Sequence, residues 1–213
     1  MSDISRPSSQ RKHEAILAAA EQIFLRDGFR GANMDELATL SQVSKQTVYK
    51  HFGSKEALFV DLVTSMTRGA GDGVHEEMPL PRSAGGVGGF LEEFGRRQLG
   101  VVLDARILQL RRLVIGEVGR FPDLGQALWR AGPMRSMTAL TTAFSDFIEK
   151  GWMRDTDPRT AASFFNWLVM SPINEAMLLG DDVPRDPESI RRHCAEATRV
   201  FLAAYGRGAA IPA

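Results

Sequence analysis

Between Gly28 and Leu58, helix stops and helix starts alternate at intervals too short for anything but a set of compact helices. Ahead of this run, Ile16, Leu17, Ala20, Ile23 and Phe24 recur at offsets of three and four, the spacing of an amphipathic helix, and Asp27-Gly28 ends it. Asn33 followed by Glu36 approximates a capping box. Met34, Leu37, Ala38 and Leu40 then supply the buried stripe of a short second helix that closes near Ser41. After a turn through Gln42 and Val43, Ser44 caps a third helix with Val48 and Phe52 one turn apart on its inner face, and Gly53 stops it. Ser54 caps once more, Glu56 suits the positive helix start, and Ala57, Leu58, Leu62, Val63 and Met66 carry a longer fourth helix.

A short helix, a tight turn and a second short helix form the arrangement that offers the second helix to a DNA major groove. With Val48 and Phe52 inward, Gln46, Tyr49 and Lys50 project outward at i, i+3 and i+4, and Lys45 and Thr47 occupy the first turn. Gln46 can pair bidentately with adenine, Lys50 can donate to guanine, and Thr47 and Tyr49 can touch a thymine methyl or a phosphate. Lys55, at the next helix start, is placed as a phosphate clamp, with His51 as a second. An ordinary solvated helix face carries the same residue types, so spacing alone leaves the two readings level. The net charge of zero does not separate them either. Its distribution is more telling: Lys45, Lys50 and Lys55 share a stretch with no acid before Glu56.

Beyond residue 68 the pattern changes. Seven of the 21 residues from 69 to 89 are glycine and two are proline, which predicts an irregular connection. Helices are then expected over 90–103, 104–119, a segment starting at Gly125 or Pro133 and ending at Gly151, 157–179 and 186–205. Asp157-Pro158 and Asp186-Pro187 each place a capping acid before a proline at the first helical position. The predicted fold is all-α.

Several function classes are disfavoured. No apolar run approaches the roughly 18 residues that cross a bilayer, so a cytoplasmic protein without a membrane partner is expected. The single cysteine, Cys194, has no intrachain partner and no zinc-site neighbours. The four histidines (13, 51, 75 and 193) fall in no metal-binding HExxH pattern, and the chain has no GxSxG and no phosphate loop. His75-Glu76-Glu77, the nearest approach to a metal cluster, reads as solvated loop. No enzyme activity, metal or cofactor is expected.

The segment GFRGANMDELATLSQVSKQTVYKHFGSKEAL, residues 28–58, resembles the signature of the TetR family of regulators. Gly28-Phe29, Asn33, Ala38, Val43, Ser44, Thr47, Tyr49, His51, Phe52, Lys55 and Leu58 carry the likeness. The resemblance implies a dimeric regulator, commonly a repressor, whose small-molecule ligand lowers DNA affinity by changing the separation of two recognition helices. It places DNA-contact roles on Ser44, Lys45, Gln46, Thr47, Tyr49, Lys50, His51 and Lys55, with Asn33 near a phosphate. Residues 111–133, RRLVIGEVGRFPDLGQALWRAGP, and the ending FLAAYG are similar to the C-terminal domain of the AefR-like subgroup.

The resulting expectation is a helix-turn-helix DNA-binding domain over 9–55 and a larger helical ligand-binding and dimerisation domain over 56–208. The partners would be a palindromic double-stranded operator, a second copy of the chain and a small, largely apolar effector. Ala161, Ala162, Phe165, Leu168 and Val169, with Ala195, Val200, Phe201 and Ala204, would let the last two helices pack as half of a four-helix interface. Leu110, Phe121, Trp129, Met137 and Trp167 are candidate pocket residues, although such residues more often fill cores. The rival to a DNA-binding regulator is a helical protein-interaction module that binds no operator.

Overall fold

The structure, a computed structural model, describes residues 8–75, 78–179 and 186–210. Gly28 takes φ 73° and ψ 175°, backbone that only glycine adopts readily, and it breaks the helical run Ser8–Gly31 (α1) near its end. Asn33 then caps α2 (Met34–Leu40), its Oδ1 accepting from the backbone N–H of Asp35 at 2.8 Å and of Glu36 at 3.4 Å. α2 closes in a Schellman turn: the N–H of Gln42 donates to the Thr39 carbonyl and that of Val43 to the Ala38 carbonyl, both at 3.1 Å. The left-handed position of this turn falls on Gln42, at φ 56°, where glycine is usual.

Ser44 caps α3 (Lys45–Phe52), and Gly53 ends it. Ser54 caps α4 (Lys55–His75) by accepting from the Ala57 N–H at 3.0 Å. Here the structure corrects the expectation of an irregular segment from residue 69, because α4 runs on through Gly69, Gly71 and Gly73 to His75. Each glycine costs a helix about 1 kcal/mol relative to alanine, and later parts of the chain offset that cost. Val74 is buried, Asp72 pairs with Arg135 at 3.1 Å, and an Arg97 Nη donates to the Gly73 carbonyl. The His75-Glu76-Glu77 cluster lies outside the described side chains.

A short 3-10 turn at Ala84–Gly86 leads into α5 (Val87–Val102), which begins three residues earlier than the sequence suggests. Asp104 caps α6 (Ala105–Glu117), accepting from the N–H groups of Arg106 and Ile107. Of the two starts considered for the next helix, Pro133 is realised, by α8 (Pro133–Glu149), whereas Gly125 falls inside a separate helix, α7 (Pro122–Ala131), which Gly132 parts from α8. α9 (Pro158–Leu179) and α10 (Pro187–Tyr205) follow their Asp-Pro pairs, with Asp157 accepting from the Thr160 N–H and Asp186 from the Ser189 N–H, each at 2.9 Å. Among the described residues the fold is all-α, and the one β pairing is an isolated bridge between Met153 and Gly206.

The chain divides into two compact units, and neither is continuous in sequence. The first comprises residues up to Thr67 together with Gln109–Ala131. Its core is an aromatic cluster: Phe24 lies 4.8 Å from Phe59 between ring centroids, and Phe121 meets Phe29 edge-on at 4.9 Å. Leu110, Val114 and Leu124 complete that core. The boundary drawn from sequence at 55/56 coincides with the first residues of α4, inside this unit. The second unit holds Arg68–Leu108 and the chain from Gly132 onward. In its centre Phe144 stacks on Phe201 at 5.2 Å and meets Phe165 edge-on at 6.1 Å.

Candidate nucleic-acid interface

Eight residues are enough for α3 because both of its ends are tied. Ser44 Oγ accepts from the Thr47 N–H at 3.1 Å and shares a second hydrogen bond with the Thr47 hydroxyl at 2.8 Å. The inner face is anchored by Val48, 1 % exposed, and by the half-buried Phe52, whose ring stacks on His13 of α1 at 4.8 Å. His13 in turn lies 3.4 Å from Asp61 of α4. Lys45, Gln46, Tyr49 and Lys50 are left exposed on the outer side, with Thr47 and His51 half-buried beside them. A short helix rigidly seated on two neighbours, with a polar face turned to solvent, has the dimensions and donors that a major groove requires.

The charges of this face are not equivalent. Lys45 Nζ is 3.0 Å from Asp35 Oδ2 on α2, whereas Lys50 has no ion-pair partner among the described residues. Lys55 turns inward. Its ammonium donates to the Ala32 carbonyl at 2.7 Å and the Arg30 carbonyl at 3.4 Å and lies 5.1 Å from the centre of the Phe29 ring. Burial pushes its pKa below the usual lysine value. Asn33 is exposed, with its Oδ1 occupied in capping α2.

A family model of bacterial regulatory proteins of the tetR family matches residues 16–62, and one of the AefR-like transcriptional repressor C-terminal domain matches residues 89–207. The chain belongs to the TetR family. It is similar to a TetR-family transcriptional regulator from Mesorhizobium loti MAFF303099, at 33% identity and a TM-score of 0.82 over 95% of this chain and 100% of that one. The flavonoid-responsive regulator FrrA is 29% identical with a TM-score of 0.76, over 92% of this chain and 98% of its own. Among curated relatives, the HTH-type transcriptional regulator YdeS of Bacillus subtilis is 32% identical over 82 residues, 38% of each chain. The chain thus spans less than half the length of this curated relative. The TetR family is one of transcriptional regulators rather than enzymes.

Within a TetR-family chain, the helix-turn-helix is α2, the Gln42 turn and α3; of the residues expected to contact DNA, Ser44, Lys45, Gln46, Thr47, Tyr49, Lys50 and His51 lie on α3 and its cap, Asn33 caps α2, and Lys55 opens α4 with its ammonium turned inward. The pocket candidates are divided between the two units. Leu110 is fully buried and Phe121 packs on the same core in the first unit, where Trp129 is 51% exposed. Met137 packs against the core of the second unit. Trp167, 57% exposed, lines a shallow apolar recess with Phe164, Leu168, Ser171 and Tyr205. No three metal-ligating side chains converge among the described residues, and no described helix is long and apolar enough to cross a membrane.

Proposed function

We propose that the chain is a sequence-specific, DNA-binding transcriptional regulator that represses from a palindromic operator and is released by a small, largely apolar ligand. Residues 9–55 form its DNA-binding part and 56–208 its sensing and dimerisation part. The observation that carries this reading is the exposed face of α3, where Gln46, Tyr49 and Lys50 stand opposite a buried Val48 on a helix capped at both ends. Asn33, Ser44, Lys45, Thr47, His51 and Lys55 complete the contact set, chiefly toward phosphates. Dimerisation is supported by apolar side chains left exposed on the last two long helices: Phe164 and Trp167 on α9 are both more than half exposed, and the aliphatic Val200 on α10 is exposed as well. Such an apolar surface favours a second copy of the same face. Ligand release is supported by the family and by the flavonoid response named for FrrA.

The test is binding of the purified protein to duplex DNA from the flanks of its own gene as salt is raised. A regulator of this kind protects a discrete site, and the logarithm of its affinity falls linearly with log salt, since each neutralised phosphate releases counterions. Absence of any footprint at low salt would sink the reading in favour of a protein-interaction module.

A further inference from the structure

Lys45 and Lys50 lie on the same short helix, both exposed, yet among the described residues only Lys45 of the two is paired with an acid. Its partner Asp35 comes from the first turn of α2, with the carboxylate 72% and the lysine 48% exposed. Pairs this open to water contribute little to folding, so fold stability is a weak reason for the contact. The other acid of that turn, Glu36, is already engaged by Arg26 Nη2 at 2.9 Å to each of its oxygens. Asp35 therefore faces Lys45 alone, at the end of α3 that enters a groove first.

We propose that Asp35 is a specificity-determining residue acting through Lys45, as a brake on sequence-independent DNA binding. This rests on the DNA-binding reading above. A phosphate approaching Lys45 meets a carboxylate already 3.0 Å from the same ammonium, and it must displace that carboxylate before it gains the charge. On random DNA, where nothing but phosphate contacts holds the protein, the exchange gives no advantage and Lys45 stays with Asp35. Lys50 carries no such partner among the described residues and remains available to any duplex.

The experiment measures affinity for a random-sequence duplex as a function of salt, for the wild type, Asp35→Asn, Lys45→Gln and the double variant. Asn is the same size as Asp and leaves the Asn33 cap in place; Asp35→Ser serves as a second variant, and thermal melts check that each folds. Asp35→Asn should bind random DNA several-fold more tightly at about 0.1 M salt, with a slope of log affinity against log salt steeper by about 0.9, the value for one more phosphate contact. In the Lys45→Gln background the same substitution should leave the slope unchanged. An unchanged slope in Asp35→Asn, or an equal steepening without Lys45, overturns the brake while leaving the DNA-binding reading intact. Failure of all four proteins to bind any duplex at low salt overturns both.

Discussion

His193 Nε2 lies 3.1 Å from the Leu168 carbonyl, whose helical donor would have been the N–H that Pro172 lacks. It is also 3.0 Å from the Val169 carbonyl. Carbonyls only accept, so Nε2 carries the proton, and α10 thereby satisfies a group that the proline leaves exposed in α9. Ser171 Oγ also donates to the Leu168 carbonyl, at 3.3 Å, so His193→Phe, which keeps a ring but removes one of two side-chain donors, should destabilise the protein by about 0.5–1.5 kcal/mol, the worth of a single hydrogen bond. Urea unfolding measures this, and His193→Gln, which retains an N–H donor, should recover part of the loss.

Two glycines of α5 should respond in opposite directions to alanine. A Cβ on Gly95 would sit 3.2 Å from Cys194 Sγ and 3.3 Å from a Val169 methyl, where α5, α9 and α10 come together. Overpacking of about 1–3 kcal/mol outweighs the roughly 1 kcal/mol that alanine gains in helix propensity, so Gly95→Ala should be net destabilising. A Cβ on Gly100 meets nothing within 4 Å, so Gly100→Ala should gain roughly 0.5–1 kcal/mol from helix propensity alone. Adding Cys194→Ala should relieve only the first variant. Equal effects of the two alanines would contradict the packing described.

Arg111 on α6 shares a helix stripe with the buried Ile107, Leu108 and Val114, and its Nε is enclosed with no acceptor in reach. Desolvation lowers its pKa, with no acid acting against it. Arg111→Met keeps the stem and removes the uncompensated charge, so it should stabilise the protein by about 1–3 kcal/mol. A scanning calorimetry midpoint below that of the wild type would show that the guanidinium is supported in some other way.

The helix caps set an acid limit on stability. Hydrogen bonds from Thr160 hold the Asp157 carboxyl below its usual range, and those from Ser189 do the same for Asp186. A carboxylate with a depressed folded pKa lends stability above its unfolded value, and that stability is lost as pH falls through the folded one. Chemical denaturation midpoints should therefore drop below about pH 4. Asp157→Ala and Asp186→Ala should lower the midpoint at neutral pH and flatten the acid limb. A limb of unchanged steepness would mean that the caps contribute nothing.

Lys50, Lys55 and Gln46 should separate by phenotype. Lys50→Ala should weaken DNA binding without moving the melting temperature. Lys55→Ala removes the donor to the Ala32 and Arg30 carbonyls, so it should lower stability together with DNA affinity. Gln46→Ala should relax preference at one base position by roughly 1–3 kcal/mol while leaving the salt slope alone. Competition binding with single-base variants of the footprinted site checks the last point.

What could be read from sequence follows from how local each cause is. Gly28, Asn33, Ser44, Gly53, Asp157 and Asp186 act on backbone groups within three residues of themselves, and the helices they bound were legible. The course of α4 past Gly69 was not, since Arg135 and Arg97, which support it, lie 63 and 24 residues away from their partners. Gln42 gave no sign of a left-handed residue, because the motif usually signals itself with glycine. The outward order of Gln46, Tyr49 and Lys50 was visible in their spacing. The partners of Lys45 and Lys55 were not, being 10 and 23 residues distant and set by tertiary approach.

The discontinuity of the first unit bears on the order in which the protein matures on the ribosome. Leu110, Val114 and Leu124 belong to the same core as Phe24, Phe29 and Phe59. Synthesis delivers the helix-turn-helix first, but that core stays open until residues 109–131 have left the exit tunnel. A nascent or prematurely terminated chain carrying only the leading helices lacks its lid, so competence to occupy DNA would arrive only once the whole of the second unit's first segment has also been made.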